Sequence, residues 1–439
     1  EIRLSLVGSE MCIRDRAMRA MPENSIDAIV TDPPYGLGFM GKAWDALPPG
    51  KPWADECLRV LKPGGHLVAF GGTRTVHRLT CAIEDAGFEI RDMGVWVYWQ
   101  GFPKSLDVSK AIDAAAGAER EVVGYDASRA RPNRLYEGGA LGNIGGKGKV
   151  SDRTDNGATI TAPATEEART WQGFGTALKP AHEPWVLARK PLSGTVAANV
   201  LEWGTGALNI DGCRFAPGDP AWPGPDDGNL THTSARPASP NATSYELPVR
   251  DAYQTEGQRL GRWPANLYAC PKASRSERER GCEGLAGLSR AEAVDRQPGS
   301  KGASNPRAGA GRERTYKPGA EFHSGPGSPR RGCKEDYVYT PQPIRNHHPT
   351  VKPLALMRWL VRLVGGQPNS SNTILDPFAG SGTTLAAATL EGFNSIGIEL
   401  SPDYAAIAKA RIEWAKGERF HETRQADLFS PQPWQEPTP

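Results

Sequence analysis

The chain of 439 residues is long enough for two domains, or for one large domain that carries an insertion. Its 38% hydrophobic content is low for a compact globule, and 50 Gly and 38 Pro imply that irregular segments are concentrated somewhere. A formal net charge of +2 excludes a global electrostatic footprint, so any basic contact surface must be local. Seven cysteines, none in a CxxC pair, point to reduced thiols rather than a disulfide framework. No apolar run reaches the 18 or more residues of a membrane span and no signal peptide is recognisable, so a soluble, cytoplasmic protein without a membrane partner is expected.

Residues 1–16 show no clean helical or strand period and are expected to be truncated or non-native. Residues 17–21 read as the end of a helix stopped at Pro22. The apolar run Ser25–Val30 reads as a buried strand that closes in Thr31-Asp32-Pro33-Pro34-Tyr35-Gly36. In open α/β sheets, ligands bind beyond the carboxyl ends of the strands, where this tetrad falls. One carboxylate, two prolines that stiffen the backbone and an aromatic ring are an unusual set for a plain turn. A glycine-containing loop with Phe39 and Trp44 follows. Pro52–Leu61 reads as a helix ended by Lys62-Pro63-Gly64-Gly65, and His66–Gly72 as a short buried strand. Thr75–Ala86 fits a helix, Phe88–Trp99 a strand or strand pair, and Ser105–Ala116 a helix with Ser105 as N-cap. This alternation predicts an α/β fold, a mostly parallel sheet with helices on both faces.

From about 117 to 345 the pattern breaks down and Gly, Pro, Asn and Ser become dense, as in Gly138–Gly146. Within it Trp185–Lys190 reads as a strand and Arg262–Tyr268 as a buried turn. Between Lys272 and Asp336, 14 Lys/Arg stand against 9 Asp/Glu, with Tyr316, Phe322, Tyr337 and Tyr339 among them. That composition suits a phosphate backbone. Residues 290–334 read almost equally well as a solvated, disordered loop.

Order returns at His348-Pro349-Thr350-Val351-Lys352-Pro353, where Pro353 opens a helix through Leu363. Thr373–Asp376 is a short strand, followed by Pro377-Phe378-Ala379-Gly380-Ser381-Gly382-Thr383-Thr384 and a helix over Leu385–Leu390. The strand Asn394–Ile398 delivers Glu399, and Ser401-Pro402 starts a long helix with Ser401 as N-cap. Strand, Gly-rich turn, helix, strand and acid is the arrangement that holds an adenosine-bearing cofactor. Glu399 lies 23 positions after Asp376, near the spacing at which a carboxylate meets ribose hydroxyls. No lysine follows Gly382, which disfavours a P-loop, and Leu385 stands where a dinucleotide fold wants a third glycine. A cofactor without a pyrophosphate remains, and S-adenosylmethionine is the obvious one.

Asp-Pro-Pro-Tyr ahead of Phe-Ala-Gly-Ser-Gly, with a long variable segment between, resembles the β-class amino DNA methyltransferases, which act on adenine N6 or cytosine N4. The resemblance covers roughly residues 18–116 and 346–415. Residues 101–105 and 179–184 are similar to a phage- or prophage-type branch. The family's early Gly-Asp-Cys is not supplied by residues 7–16. The likeness implies a Rossmann-like S-adenosylmethionine-dependent methyltransferase sheet with a large irregular insertion. Residues 1–116 would form the catalytic half, 117–345 the target-recognition region, partly disordered, 346–426 the cofactor half and 427–439 a tail. It implies double-stranded DNA as substrate and a bacterial or phage origin. Related enzymes occur alone or with a partner restriction endonuclease, and are often homodimers.

On this reading Asp32 accepts one N–H of the target amine and the Pro33 carbonyl the other, which localises the nitrogen lone pair. Pro33 and Pro34 preset that geometry, and Tyr35 stacks on a base swung out of the duplex. Asp376, Pro377, Phe378, Ala379, Gly380, Ser381, Gly382 and Thr383 would cradle the cofactor, with Glu399 on its ribose and Lys352 on its carboxylate. Adenine is favoured over cytosine, because Ser in place of Asp32 would have favoured cytosine. A protein or RNA amine methyltransferase and a catalytically silent DNA-binding relative are the other readings. No metal is expected: His182-Glu183 invites one, yet no matching ligands follow, and Cys270, Cys282 and Cys333 lack zinc spacing.

Overall fold

Two faces of one sheet are written into the strands as alternating apolar side chains, and the computed structural model shows where each face goes. The structure describes residues 2–4, 16–38, 45, 47–103, 105–125, 159–216, 219–221, 261–288, 293, 314–316, 337–339, 343–367 and 371–429. Residues 7–15, Phe39, Trp44, Gly138–Gly146, Cys333 and most of the basic stretch after Arg290 lie outside them. In chain order the first elements are β1 (Ile2–Leu4), β2 (Ile26–Thr31), α1 (Lys51–Val60), β3 (Leu61–Phe70), α2 (Val76–Asp85) and β4 (Glu89–Val97). There follow α3 (Val108–Ala115), β5 (Val122–Tyr125), β6 (Thr159–Thr161), α4 (Glu166–Thr170), β7 (His182–Arg189), α5 (Val196–Trp203), β8 (Leu267–Ala269) and α6 (Arg275–Glu279). The last are β9 (Arg314–Tyr316), β10 (Tyr337–Tyr339), α7 (Leu354–Val364), β11 (Thr373–Asp376), α8 (Thr383–Glu391), β12 (Asn394–Glu399) and α9 (Pro402–Phe429). The chain divides into two compact units, residues 1–99 with 182–439, and residues 100–181.

The larger unit holds an eight-stranded sheet in the order β1-β12-β11-β2-β3-β7-β4-β8. β1, β12, β11, β2 and β3 run parallel, β7 runs antiparallel to both β3 and β4, and β8 is parallel to β4. The sheet is mostly parallel, as expected, and β7 alone in it runs the other way, because the strand anticipated at Trp185–Lys190 enters its interior against the grain. Ala28, Val30, Val68, Phe70, Trp185 and Ile374 pack into one core, with α7 and α8. Their neighbours Ile29, Leu67, Ala69, Val186 and Leu375 pack into the other, with α1 and α2. The fold is α/β and Rossmann-like, with helices on both faces. From β2 the chain moves to β3 on one side, and from β11 to β12 on the other, so the order reverses between β2 and β11. Such a switch point leaves a crevice at the carboxyl ends of the strands.

Two local expectations are corrected. Arg262–Tyr268 is not a buried turn: it runs into the edge strand β8, with Trp263 62% exposed. The helix after Ser105 starts later, at Val108, because Asp107 accepts from the Lys110 N–H at 3.0 Å and is its N-cap. Ser105 Oγ instead accepts from the N–H groups of Thr176 and Ala177.

The smaller unit is built around Asp113, a buried carboxylate on α3. It accepts from the Ala164 and Thr165 N–H groups and the Thr165 hydroxyl, and pairs with Arg120 at 2.5 Å. These bonds tie α3 to the start of α4, and β5 pairs antiparallel with β6 beside them.

The aromatic centre of the larger unit is Trp359 on α7, 6% exposed, 5.2 Å from Tyr268 and stacked on Phe215 at 5.8 Å. Its indole N–H donates to the Cys213 carbonyl at 3.0 Å. Trp359→Ala leaves a large cavity and is expected to destabilise the protein by about 3–5 kcal/mol in denaturant titration. A loss near zero would mean that this cluster does not hold α7 to the sheet.

Candidate active site

Thr31 ends β2 and Asp376 ends β11, and the Thr31 hydroxyl donates to Asp376 Oδ1 at 2.6 Å. This bond fixes the tetrad and the Gly-rich turn side by side at the switch point. Past Thr31 the backbone is held by Asp45, whose carboxylate accepts from the N–H groups of Tyr35 (2.7 Å), Gly36 (3.0 Å) and Leu37 (3.2 Å). The Thr75 hydroxyl donates to the Tyr35 carbonyl at 2.6 Å. The tetrad is thus pinned from two elements before any ligand arrives.

Lys352 lies beside the tetrad. Its Nζ is 2.5 Å from Asp32 Oδ2, 3.1 Å from the Tyr35 hydroxyl and 3.2 Å from Glu183 Oε2. It also faces the Phe70 ring, 4.8 Å from its centroid. Tyr35 donates its hydroxyl to Glu183 Oε2 at 2.9 Å, and Lys272 pairs with Glu183 Oε1 at 3.5 Å. Burial alone would discharge Lys352, but Asp32 and Glu183 outweigh it and hold its pKa above the ordinary lysine value. Burial also lifts Asp32, with Glu183 adding to the rise against the pull of Lys352. Glu183 would rise too, yet Lys352 and Lys272 keep it below the usual carboxylate range. Burial, then Asp32 and Glu183, push the Tyr35 phenol well above its normal value. Asp32 Oδ1 is buried and has no hydrogen-bond partner among the described residues. An acceptor in that state waits for a donor.

The Gly-rich turn is shaped by positive φ at Gly380 (+51°) and Gly382 (+73°). A Cβ on Gly380 would meet His348 Nε2 at 2.8 Å, and one on Gly382 would meet Ala408 at 2.7 Å. The Ala379 N–H donates to the Ile398 carbonyl, and Gly380 N–H to Glu399 Oε2 at 2.7 Å. Glu399 Oε1 accepts from Leu400 and Ser401, both at 2.9 Å. An ionised carboxylate offers about four acceptor positions, so Glu399 keeps capacity for a further donor. Buried Arg411 closes the turn from below, donating to the Ser381 carbonyl and hydroxyl and to the Thr383 hydroxyl at 2.8 Å. Burial raises Asp376 to about 6 against hydrogen bonds from Thr31, Thr384 and the Phe378 N–H, and it lifts Glu399 as well.

The expected catalytic residues and those of the Gly-rich turn, with Glu399, fall in these two neighbourhoods, whereas Lys352, expected on the cofactor carboxylate, is placed at the tetrad, paired with Asp32 and Glu183. Pro33 is buried and Pro34 half-buried within the tetrad, and Phe378 packs on Trp53 at 5.9 Å behind the turn. Sequence reasoning missed Glu183, Lys272, Thr31, Thr75, Asp45 and Arg411. The signal for Glu183 is present as His182-Glu183 ahead of an apolar strand, but in sequence that pair suggests a metal ligand, or part of the branch-like stretch 179–184, and not a partner of the tetrad. Among the described residues, no group of three or more His, Cys, Asp or Glu could hold a metal ion, and no helix is long and apolar enough to cross a membrane.

The switch point of the sheet is flanked by the Asp-Pro-Pro-Tyr tetrad and the Gly-rich turn, the two motifs that carry the resemblance to the amino DNA methyltransferases. The model of that family (N6_N4_Mtase) matches residues 26–126 and 242–410, more than half of the chain. The chain belongs to this DNA methylase family. It is similar to the type II methyltransferase M.HpaI of Haemophilus parainfluenzae, 37% identical over 106 residues that cover 22% of this chain and 34% of that protein. It is also similar to the DNA adenine methyltransferase YhdJ of Escherichia coli (strain K12), 41% identical over 69 residues, 16% of this chain and 22% of that protein. The matched stretches thus span about a third or less of these relatives. Among solved structures, the M1.HpyAVI–SAM complex aligns with a TM-score of 0.35 and 14% identity, over 94% of this chain and 100% of that one. The cytosine-N4-specific PvuII DNA methyltransferase aligns with a TM-score of 0.39 and 12% identity, over 96% and 91%.

The raised pKa of Asp376 has a direction for stability. The folded state binds its proton more tightly than the unfolded chain, so rising pH costs stability between the ordinary Asp value near 4 and about 6. Asp376→Asn keeps the acceptor for Thr31 and Phe378 and removes that cost. The variant is expected to melt above the parent at pH 8, with the gap closing at pH 4. A lower melting temperature at pH 8 would contradict the assignment.

Proposed function

We propose that the protein transfers a methyl group from S-adenosylmethionine to the N6 amine of adenine in double-stranded DNA, the kind of activity found in restriction–modification systems. The observation that carries this reading is the buried, partnerless Asp32 Oδ1 beside an Oδ2 already held by Lys352. One oxygen is anchored and the other is open, which suits a carboxylate that must receive an N–H in a preset place. The adjoining turn fits the cofactor. Its glycines leave the backbone bare, Glu399 retains acceptor capacity, and Asp376 and Glu399 are carboxylates whose burial a sulfonium or ammonium group would relieve.

The bound cofactor supplies an electrophilic methyl group. This chain's residues make the amine a nucleophile. Its lone pair is delocalised into the ring, and two acceptors, Asp32 Oδ1 and the Pro33 carbonyl, draw the two N–H bonds out of the ring plane, so that the nitrogen becomes pyramidal and its lone pair points at the methyl carbon. The methylated nitrogen then loses a proton, which Asp32 is placed to take, its raised pKa favouring the step. An amine inside the base stack is out of reach, so the target base is swung out and Tyr35 offers a ring to stack on. Phe378 to Thr383 cradle the cofactor, Glu399 meets its ribose, and recognition of the DNA sequence is assigned to the segment within 117–345. Adenine is preferred because Asp, not Ser, leads the tetrad.

The test is transfer of labelled methyl from S-adenosylmethionine to unmethylated duplex DNA, with nucleoside analysis of the product. N6-methyladenine is expected, falling at least 100-fold in Asp32→Ala. N4-methylcytosine would overturn the choice of base. Transfer that survives in Asp32→Ala would overturn the mechanism.

A further inference from the structure

We propose that Glu183 is a positioning residue of the methyl-transfer site, holding Lys352 and the Tyr35 hydroxyl from the side opposite Asp32 so that Asp32 Oδ1 stays open to the target amine. The inference rests on the function proposed above and deepens it.

Topology puts Glu183 there. Parallel strands present their carboxyl ends at the crevice, whereas an antiparallel strand presents its amino end. β7 runs antiparallel between β3 and β4, with Trp185 opposite Phe70 and Glu183 opposite Trp96. Its second residue therefore arrives at the same rim as the tetrad. The side chain is 17% exposed, and both oxygens are used: Oε2 by the Tyr35 hydroxyl and Lys352, Oε1 by Lys272. Lys272 in turn sits 4.1 Å over the Tyr98 ring.

The result is a row of alternating charges, Asp32, Lys352, Glu183 and Lys272, running from the buried acceptor to a half-exposed lysine. A buried lysine with Asp32 as its sole counter-charge would be drawn wholly onto that carboxylate and could swing to either oxygen. Glu183 divides its attraction and fixes it at Oδ2. The same carboxylate holds the Tyr35 hydroxyl, which sets the tilt of the ring offered to the base. The titratable and charged groups facing Glu183 are Asp32 and Tyr35 from the tetrad, Lys352 ahead of α7, Lys272 after β8 and Tyr98 after β4.

The experiment compares the parent, Glu183→Gln and Glu183→Asp in full-length protein for methyl transfer across pH and for equilibrium binding of labelled S-adenosylmethionine. A parent that transfers no methyl to DNA would sink the function proposed above; an active parent isolates the role of Glu183. The expected result for Glu183→Gln is a kcat lower by about 10- to 100-fold with cofactor affinity within about twofold. Removing the negative charge also keeps Asp32 ionised to lower pH, so the acid limb of kcat moves down, and Glu183→Asp recovers part of the rate. The proposal is overturned by Glu183→Gln with parental kcat and an unmoved acid limb. It is equally overturned if both variants lose cofactor binding together with activity, since that is the mark of a purely structural residue.

Discussion

Two parallel strands that are some 345 residues apart in the chain, β2 and β11, pair at the centre of the sheet, with Ile374 beside Ala28 and Leu375 beside Ile29. Their adjacency is the constraint on which the site depends. Each strand ends in a short polar segment, and their pairing brings the Asp32 tetrad and the Gly-rich turn to one crevice. The 2.6 Å bond from Thr31 to Asp376 closes the junction. Around it, side chains of both strands alternate into two separate cores, so a slip of one residue would exchange the faces of the strand. Hydrophobic register thereby sets the position of the chemistry.

Burial of charge is the counterpart of that precision. Asp32, Lys352, Glu183, Asp376, Glu399 and Arg411 sit within or beside the crevice, and burial of such groups usually opposes folding unless each finds partners. Most do. Lys352 has two carboxylates and a phenol, Glu399 three backbone N–H groups, and Arg411 three oxygens. Among these groups Asp32 Oδ1 and Arg411 Nε have no hydrogen-bond partner among the described residues, and burial leaves Asp376 and Glu399 with raised pKa values. Under the function proposed above, a target amine would satisfy Asp32 Oδ1 and a cationic cofactor would ease the burial of Asp376 and Glu399.

The short helix α6 clasps the segment that links these parts. Glu277 accepts from the Leu354 N–H at 2.6 Å and caps α7, where Pro353 has no side chain to do so. Arg278 donates to the His348 carbonyl at 2.5 Å, and Glu279 accepts from Arg345. His348 then lies against Tyr404, ring centroids 4.6 Å apart, and over Gly380. Position 348 is in this way tied to the Gly-rich turn and position 352 to the tetrad.

The parts of the site that were legible in the sequence are those in which residue type and neighbours suffice. Asp32 to Tyr35 and Asp376 to Thr383 follow apolar runs directly, and Glu399 closes the next strand. The helices at 76–85, 354–364 and 383–391 followed from apolar spacing and from Pro and Gly boundaries. Side chains that reach the site by pairing distant segments were not legible. Glu183 depends on an antiparallel strand entering a parallel sheet, and Asp45 on a loop folding back onto three N–H groups. Ser105 carried the propensity of an N-cap, but Asp107 lay closer to the helix that formed.

The central claim is that His348, Gly380 and Glu399 shape a cofactor site distinct from, but adjoining, the amine acceptor at Asp32. Equilibrium dialysis of labelled S-adenosylmethionine against the parent, Gly380→Ala and Asp32→Asn tests it most directly. Gly380→Ala, whose methyl group would strike His348 at a positive φ, is expected to lose binding while Asp32→Asn retains it. Undiminished binding by Gly380→Ala would contradict it.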